Sequence, residues 1–316
     1  CNQLAVELPK VSDADMALSN LERFFEAVRS PLSLAALFER DPEALPTLLQ
    51  IFSSSQYLSD QLVRDNESND LLRINEGQPI ARAALIADVV GEIESLPDDA
   101  AVMSALRRFK HRETLRIAYG DIIRGLPLET VARQISYLAD ALLEGAVRHA
   151  RRELEAKRGI PRRADGDPAR FVIIALGKLG GRELNYSSDI DVVFVYDEDG
   201  RTDGSHSTSN KEFFERLSRE VVRLLSETTS LGAAYRVDLR LRPHGSQSSV
   251  VMNLESMLQY YDVVGRTWER QAFVKARAVA GDFELGREFL ERLRPWIYRG
   301  YLGRGDISGI KSLKWR

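Results

Sequence analysis

The chain has 316 residues, enough for about two domains of ordinary size. Hydrophobic residues at 44% and charged residues at 29% exclude a mainly disordered chain. The 44 basic and 47 acidic side chains leave a formal charge of −3, which excludes a whole-chain electrostatic case for binding nucleic acid or an anionic membrane. The chain opens at Cys1-Asn2-Gln3-Leu4 with neither an initiator Met nor a signal-peptide pattern, and so reads as part of a longer chain. Cys1 is the single cysteine, which excludes an internal disulfide framework and a cysteine-cluster zinc site and fits a reducing cytoplasm.

The first ~160 residues read as successive helices. Leu18, Leu21, Phe25 and Val28 step by helical spacing, as do Leu128, Val131, Ile135, Leu138 and Leu142. Pro127 suits the first turn of the second of these helices. Asp41-Pro42-Glu43 reads as another helix start with Asp41 as N-cap. Between 148 and 170 the composition shifts: eight Lys/Arg stand against four acids, with Gly159, Pro161, Gly166 and Pro168 among them. This segment reads as the solvated end of a long helix followed by a linker.

Strands follow. Phe171–Leu176 is a continuous apolar run that suits a central strand, and Asp189–Tyr196 is a second. Neither approaches the ~18–20 residues that would span a bilayer. A Ser/Thr/Gly-rich stretch at 200–209 reads as a mobile tip. Phe214, Leu217, Val221 and Leu224 mark a helix. Ala234–Leu241 reads as a third strand, stopped by Pro243 and Gly245, and helices resume from about Leu254 to the closing Trp315-Arg316.

The chemistry concentrates between 177 and 191, in Gly-Lys-Leu-Gly-Gly-Arg-Glu-Leu-Asn-Tyr-Ser-Ser-Asp-Ile-Asp. Glycines after a buried strand serve a tight turn or a close approach to a ligand. Asp189 and Asp191, two apart on a strand, leave the same face, while Ile190 and Val192 face a core. Two adjacent carboxylates repel unless a cation lies between them, and hard oxygen ligands suit Mg²⁺ or Mn²⁺. In Tyr235–Arg242 the alternation puts Val237, Leu239 and Leu241 on one face and Arg236, Asp238, Arg240 and Arg242 on the other. Asp238 is the candidate third metal ligand, and Arg240 and Arg242 are candidates for phosphate charge.

The order of glycine turn, Asp-x-Asp strand, helix and third-Asp strand resembles the DNA polymerase β-like nucleotidyltransferase superfamily. More narrowly, residues 177–191, Tyr235–Pro243, Tyr260-Tyr261, Trp268-Glu269-Arg270 and Val274–Arg277 resemble the bifunctional glutamine synthetase adenylyltransferase/adenylyl-removing enzyme family. The resemblance covers about 130–300 well and the earlier residues only in type. It implies an α+β, mostly helical fold: a helical N-terminal domain (1–160), a nucleotidyltransferase core with a short mixed or antiparallel sheet (161–250), and C-terminal helices (251–316). It implies catalytic, metal-binding carboxylates at Asp189, Asp191 and Asp238, and a nucleotide-phosphate turn at Gly180, Gly181 and Ser188. Lys275 and Arg277 match basic positions of the family. Arg182 departs from it, standing where the family often has a small or neutral residue.

The resemblance further implies a cytoplasmic bacterial enzyme acting on glutamine synthetase with Mg²⁺ or Mn²⁺. Its substrates would be phosphate and ADP, or ATP; a PII-type signalling protein would be a partner, and nucleic acid and membrane would not. Asn185 after Leu184 is similar to the half that removes AMP by phosphorolysis. The alternatives are the AMP-transferring half and a regulatory binding module. Other residues carry structural readings: Lys178 and His206 on the surface, Trp268 and Tyr260 in the core, Glu269 paired with Arg270, and His244 outside general acid/base chemistry.

Overall fold

The computed structural model describes residues 2–28, 30–64, 77–245 and 248–299. Cys1, the expected helix beyond 300 and the closing Trp315-Arg316 lie outside them. The fold is a mostly helical α+β arrangement with a small mixed five-stranded sheet. The chain forms two compact units, one of 1–80 and 109–135, the other of 81–108 and 136–316.

The first unit holds α1 (Asn2–Glu7), α2 (Ala14–Ala27), α3 (Pro31–Arg40), α4 (Ala44–Ser54) and α5 (Gln56–Arg64). The buried face of α2 is Ala17, Asn20, Leu21 and Phe24, one residue out of step with the expected stripe, and Leu18 is 46% exposed. The cause is Asn20: a buried amide bonded to the Phe52 carbonyl (3.1 Å) and to Gln56 (3.2 Å), which belongs to the apolar face without being apolar. Phe24 packs on Phe52 with ring centroids 5.6 Å apart. Asp41 caps a turn and not the helix: its Oδ1 accepts from Glu43 N at 3.1 Å, and α4 begins only at Ala44.

The second unit begins with α6 (Arg82–Glu94). Two long helices, α7 (Asp99–Ile122) and α8 (Leu128–Arg158), contribute residues to both units. Pro127 stands just ahead of α8, its carbonyl accepting from Val131 N, and Leu128 is exposed while Val131, Ile135, Leu138 and Leu142 are buried. Then come β1 (Pro161–Arg162), β2 (Phe171–Ala175), the short α9 (Gly177–Gly180), β3 (Ile190–Tyr196), β4 (Arg201–Thr202), α10 (Asn210–Ser226), β5 (Val237–Asp238), β6 (Val251–Asn253), α11 (Leu254–Val263), α12 (Thr267–Phe273), β7 (Arg277–Gly281) and α13 (Phe283–Ile297).

Strand β2 lies between β3 and β7, antiparallel to both. The far edge of β3 takes β5 and then β6, both parallel to it. One set of alternating side chains, Val172, Ile174, Val193 and Val195, packs on Met257, Tyr261, Phe273, Phe289 and Trp296 of α11 to α13. On the other face Phe171 stacks on Phe194 (5.9 Å) and Phe214 (5.5 Å), and Tyr196 stacks on Phe214 (5.1 Å). A strand covered on both faces has to be apolar throughout, which is the pattern of β2 and of β3 after Asp191.

Three expectations need correction. The third strand is two residues long, not eight. After Asp238 the chain turns, because Arg240 N bonds the Asp238 carboxylate (2.8 Å) and Arg242 N bonds the Leu239 carbonyl (3.2 Å). The stretch 200–209 is tied down and is no mobile tip: β4 pairs with β1, Thr202 and Thr208 are buried and bonded to each other, and Asp203 accepts from Ile160 N at 2.8 Å. Helices do not run unbroken from Leu254, since β7 interrupts them.

Arg107, buried in α7, ties the approach to β5. It donates to the carbonyls of Gly232 (2.7 Å), Leu224 (3.0 Å), Met103 (2.8 Å) and Glu227. Ser226 continues the tether, donating to the Tyr235 carbonyl at 3.0 Å. Arg107→Met keeps the aliphatic stem and leaves these carbonyls bare; it should lower unfolding free energy in urea by about 3 kcal/mol. A loss below about 0.5 kcal/mol would show that water replaces the guanidinium at no cost.

Candidate active site

The site gathers where β2 ends and β3 begins. Asp191 is the second residue of β3 and pairs in register with Asp238 of β5, so parallel neighbours carry the two carboxylates side by side. Asp189 stands immediately before the strand. Ile190 and Val192 point the other way and are fully buried, as expected. Burial pushes the Asp191 carboxyl above the ordinary range, and the charges of Asp238 and Asp189 push it further.

The other two carboxylates are satisfied by arginines. Asp189 is paired with Arg236, and Asp238 with Arg240 at 2.5 Å, which holds Asp238 below its ordinary pKa. The arginine side chains are 81% and 84% exposed, so both pairs are solvent-screened and weak. With the carboxylates turned to these partners, no group of three or more Asp, Glu, His or Cys side chains among the described residues is arranged to hold a metal ion. The donor set itself, three carboxylates of which one is half-buried between two like charges, suits a hard divalent cation.

The glycine turn closes the other side. Gly177 has φ +53°, and a Cβ there would lie 2.7 Å from the Asp191 carboxylate. At Gly180 a Cβ would lie 2.5 Å from the Lys275 carbonyl and 2.9 Å from that of Ala175. Lys275 itself passes over Gly181 and pairs with Glu183 at 2.6 Å. Arg182 takes a left-handed φ of +57°, a strain that a small residue would reduce little and glycine would remove. Ser188 lies at the far end of the turn, its hydroxyl donating to Asn185 at 2.5 Å. Lys178 is exposed, and its charge reaches Asp191.

The sequence residues thus fall into two groups. Asp189, Asp191, Asp238, Gly180, Gly181, Ser188, Lys275 and Arg240 belong to one neighbourhood of turn, strand ends and their flanks. Arg242 does not share the face of Asp238: it is half-buried beyond the turn and donates to the Leu239 carbonyl at 2.8 Å. Glu269 is buried away from solvent, accepting from Tyr260 Oη and Arg266 N, both at 2.8 Å, and Arg270 is buried as well, its guanidinium over the Trp296 ring. Trp268 is 36% exposed and so lies outside the core, whereas Tyr260 is in it. His244 is exposed, edge-on to Tyr260. Sequence reasoning missed Asp140 on α8, which meets Arg277 behind the turn; a lone Asp in a helical stripe gives no signal.

Comparison with known proteins places the chain in a family. The model of the family GlnE, glutamate-ammonia ligase adenylyltransferase, matches residues 45–292. A bifunctional glutamine synthetase adenylyltransferase/adenylyl-removing enzyme of Thioalkalivibrio sulfidiphilus is 38% identical over 277 residues, which is 86% of this chain and 28% of that protein. The protein of the same name from Pseudomonas aeruginosa is 36% identical over 319 residues, covering 99% of this chain and 32% of its own length. The chain therefore spans about 30% of the curated relatives it matches. No helix among the described residues is long and apolar enough to cross a membrane.

Proposed function

Because this chain belongs to the GlnE, glutamate-ammonia ligase adenylyltransferase, family, we propose that it is a metal-dependent nucleotidyltransferase domain acting on glutamine synthetase, removing AMP from a modified tyrosine by phosphorolysis. The observation that carries the reading is the register pair Asp191 and Asp238, placed across from a turn in which Gly177 and Gly180 have no room for a Cβ. Asp189, Asp191 and Asp238 would hold Mg²⁺ or Mn²⁺, after Asp189 and Asp238 exchange their weak arginine partners for the ion. Bound there, divalent ions supply charge neutralisation at the reacting phosphorus and its entering and leaving oxygens.

The chain's own groups do the rest. The turn at Gly180 and Gly181, with the Ser188 hydroxyl, would take the nucleotide phosphate, Gly180 letting the turn lie close against the Lys275 and Ala175 carbonyls. Lys275 and the released Arg240 and Arg236 offset phosphate charge; Arg242 contributes by bracing the Leu239 turn. A phosphate oxygen forms a bond to the AMP phosphorus as the bond to the tyrosine oxygen breaks. ADP departs, and the phenolate takes a proton from solvent. The direction rests on Leu184-Asn185 in the signature, which is similar to the removing half. A PII-type signalling protein is the proposed regulator, and the active surface faces protein, not nucleic acid.

Incubation with AMP-modified glutamine synthetase, Mg²⁺ and inorganic phosphate should release ADP, and omission of phosphate should abolish the release. ATP-dependent labelling of unmodified glutamine synthetase, with no ADP from the modified form, would assign the transferring direction instead. Binding of Mg²⁺ and nucleotide with neither product would leave a regulatory module.

A further inference from the structure

We propose that Arg277, held by Asp140, is a positioning residue that fixes the glycine turn from behind, and that it does not contact the phosphate. The inference deepens the nucleotidyltransferase reading and rests on it for its ligand. Arg277 opens β7 opposite Ala175, the last residue of β2. Its Nη2 and Nε donate to the Leu179 carbonyl at 2.9 and 3.3 Å, inside the turn. The same guanidinium forms a two-pronged pair with Asp140 of α8, at 2.6 and 2.9 Å.

Asp140 is fully buried, and Arg277 is 15% exposed. Arg82 of α6 completes the device, donating to Asp140 at 2.7 Å and to the Val279 carbonyl of β7 at 2.5 Å. Asp140 and the Leu179 carbonyl take four of the five N–H groups of this guanidinium, including both of its two-pronged edges, which leaves no paired edge for a phosphate. Its neighbour two residues earlier has the opposite placement: Lys275 is 52% exposed and runs over Gly181. The entry to β7 thus presents Lys275 to the solvent side of the turn, and the first residue of the strand presents Arg277 to its buried side. The buried cation fixes Leu179, and with it the peptide groups of Gly180 and Gly181.

The fork is the functional element, since a lysine keeps the charge but cannot bridge Asp140 and Leu179 together. Arg277→Lys and Asp140→Asn should each weaken Mg²⁺–ADP binding about tenfold, a loss typical of a misplaced site. Each should also speed amide exchange at 178–183 in the ligand-free chain. The double variant should be no worse than about twofold beyond either single one, because both break one device. Exchange at 178–183 equal to wild type in Arg277→Lys overturns the proposal whether or not nucleotide binds. So does wild-type affinity in Asp140→Asn beside a large loss in Arg277→Lys, which would mark Arg277 as a direct phosphate ligand. If the wild-type chain binds no Mg²⁺–ADP, the nucleotidyltransferase reading fails, while the exchange measurement still decides the positioning role.

Discussion

Asp191→Asn should reduce phosphate-dependent ADP release by about 10³-fold or more, the scale at which loss of electrostatic stabilisation at a reacting centre is felt. The fold should survive the change. Asparagine matches the shape, and it removes the charge that repels Asp238 and Asp189 in the free protein. Without metal, the variant should therefore unfold at a temperature equal to or above that of the wild type. Added Mg²⁺ separates the two. A ligand at a hundred times its Kd stabilises by about 2.7 kcal/mol, so the wild type should rise in Tm with Mg²⁺ and the variant should not. A folded variant with wild-type turnover removes Asp191 from the reaction, and an equal Mg²⁺ response in both removes it from the metal site.

Gly180→Ala should damage both stability and activity. The methyl group would press on the carbonyl oxygens of Lys275 and Ala175, both of them backbone, so no side chain can swing aside to make room. Overpacking of this kind costs about 3 kcal/mol at its upper end. Relief requires the turn or the β7 entry to shift by about an ångström, which at a reacting centre costs about 100-fold in rate. Gly91→Ala is the control: it lies in α6 with open space around the new methyl group, and should stabilise by about 0.5–1 kcal/mol. Urea unfolding and ADP release on the two variants test the claim, and a Gly180→Ala protein indistinguishable from Gly91→Ala would refute it.

The strands that bear the site were legible for a simple reason. Phe171–Leu176 and the run after Asp191 are covered on both faces, and burial on both faces writes a continuous apolar string. The carboxylate at Asp238 was legible as chemistry, but its strand was overextended. Alternation from 235 to 242 looks like a strand, yet a strand lasts only as long as its partner's free edge, and Asp238 itself closes the next turn by accepting from Arg240 N. Strand β7 was hidden because Arg-Ala-Val-Ala-Gly is short, small and without clear alternation. The α2 face was displaced by one residue because a buried amide, Asn20, counts as polar in any hydropathy pattern. The pairings of Asp140 with Arg277 and of Lys275 with Glu183 join residues 137 and 92 positions apart, and no local spacing announces them.

The division of the far edge of β3 between two short strands has a consequence for life at high protein concentration. β5 covers its first two residues and β6 its last three, with the chain leaving the sheet between them. A neighbouring molecule seeking to extend the sheet from that side meets backbone donors and acceptors in runs of at most three, interrupted by a turn bearing charged arginines. Short, broken, charged edges resist intermolecular strand pairing. The same break that turns Arg240 out to solvent over Asp238 thus guards this side of the sheet against self-association.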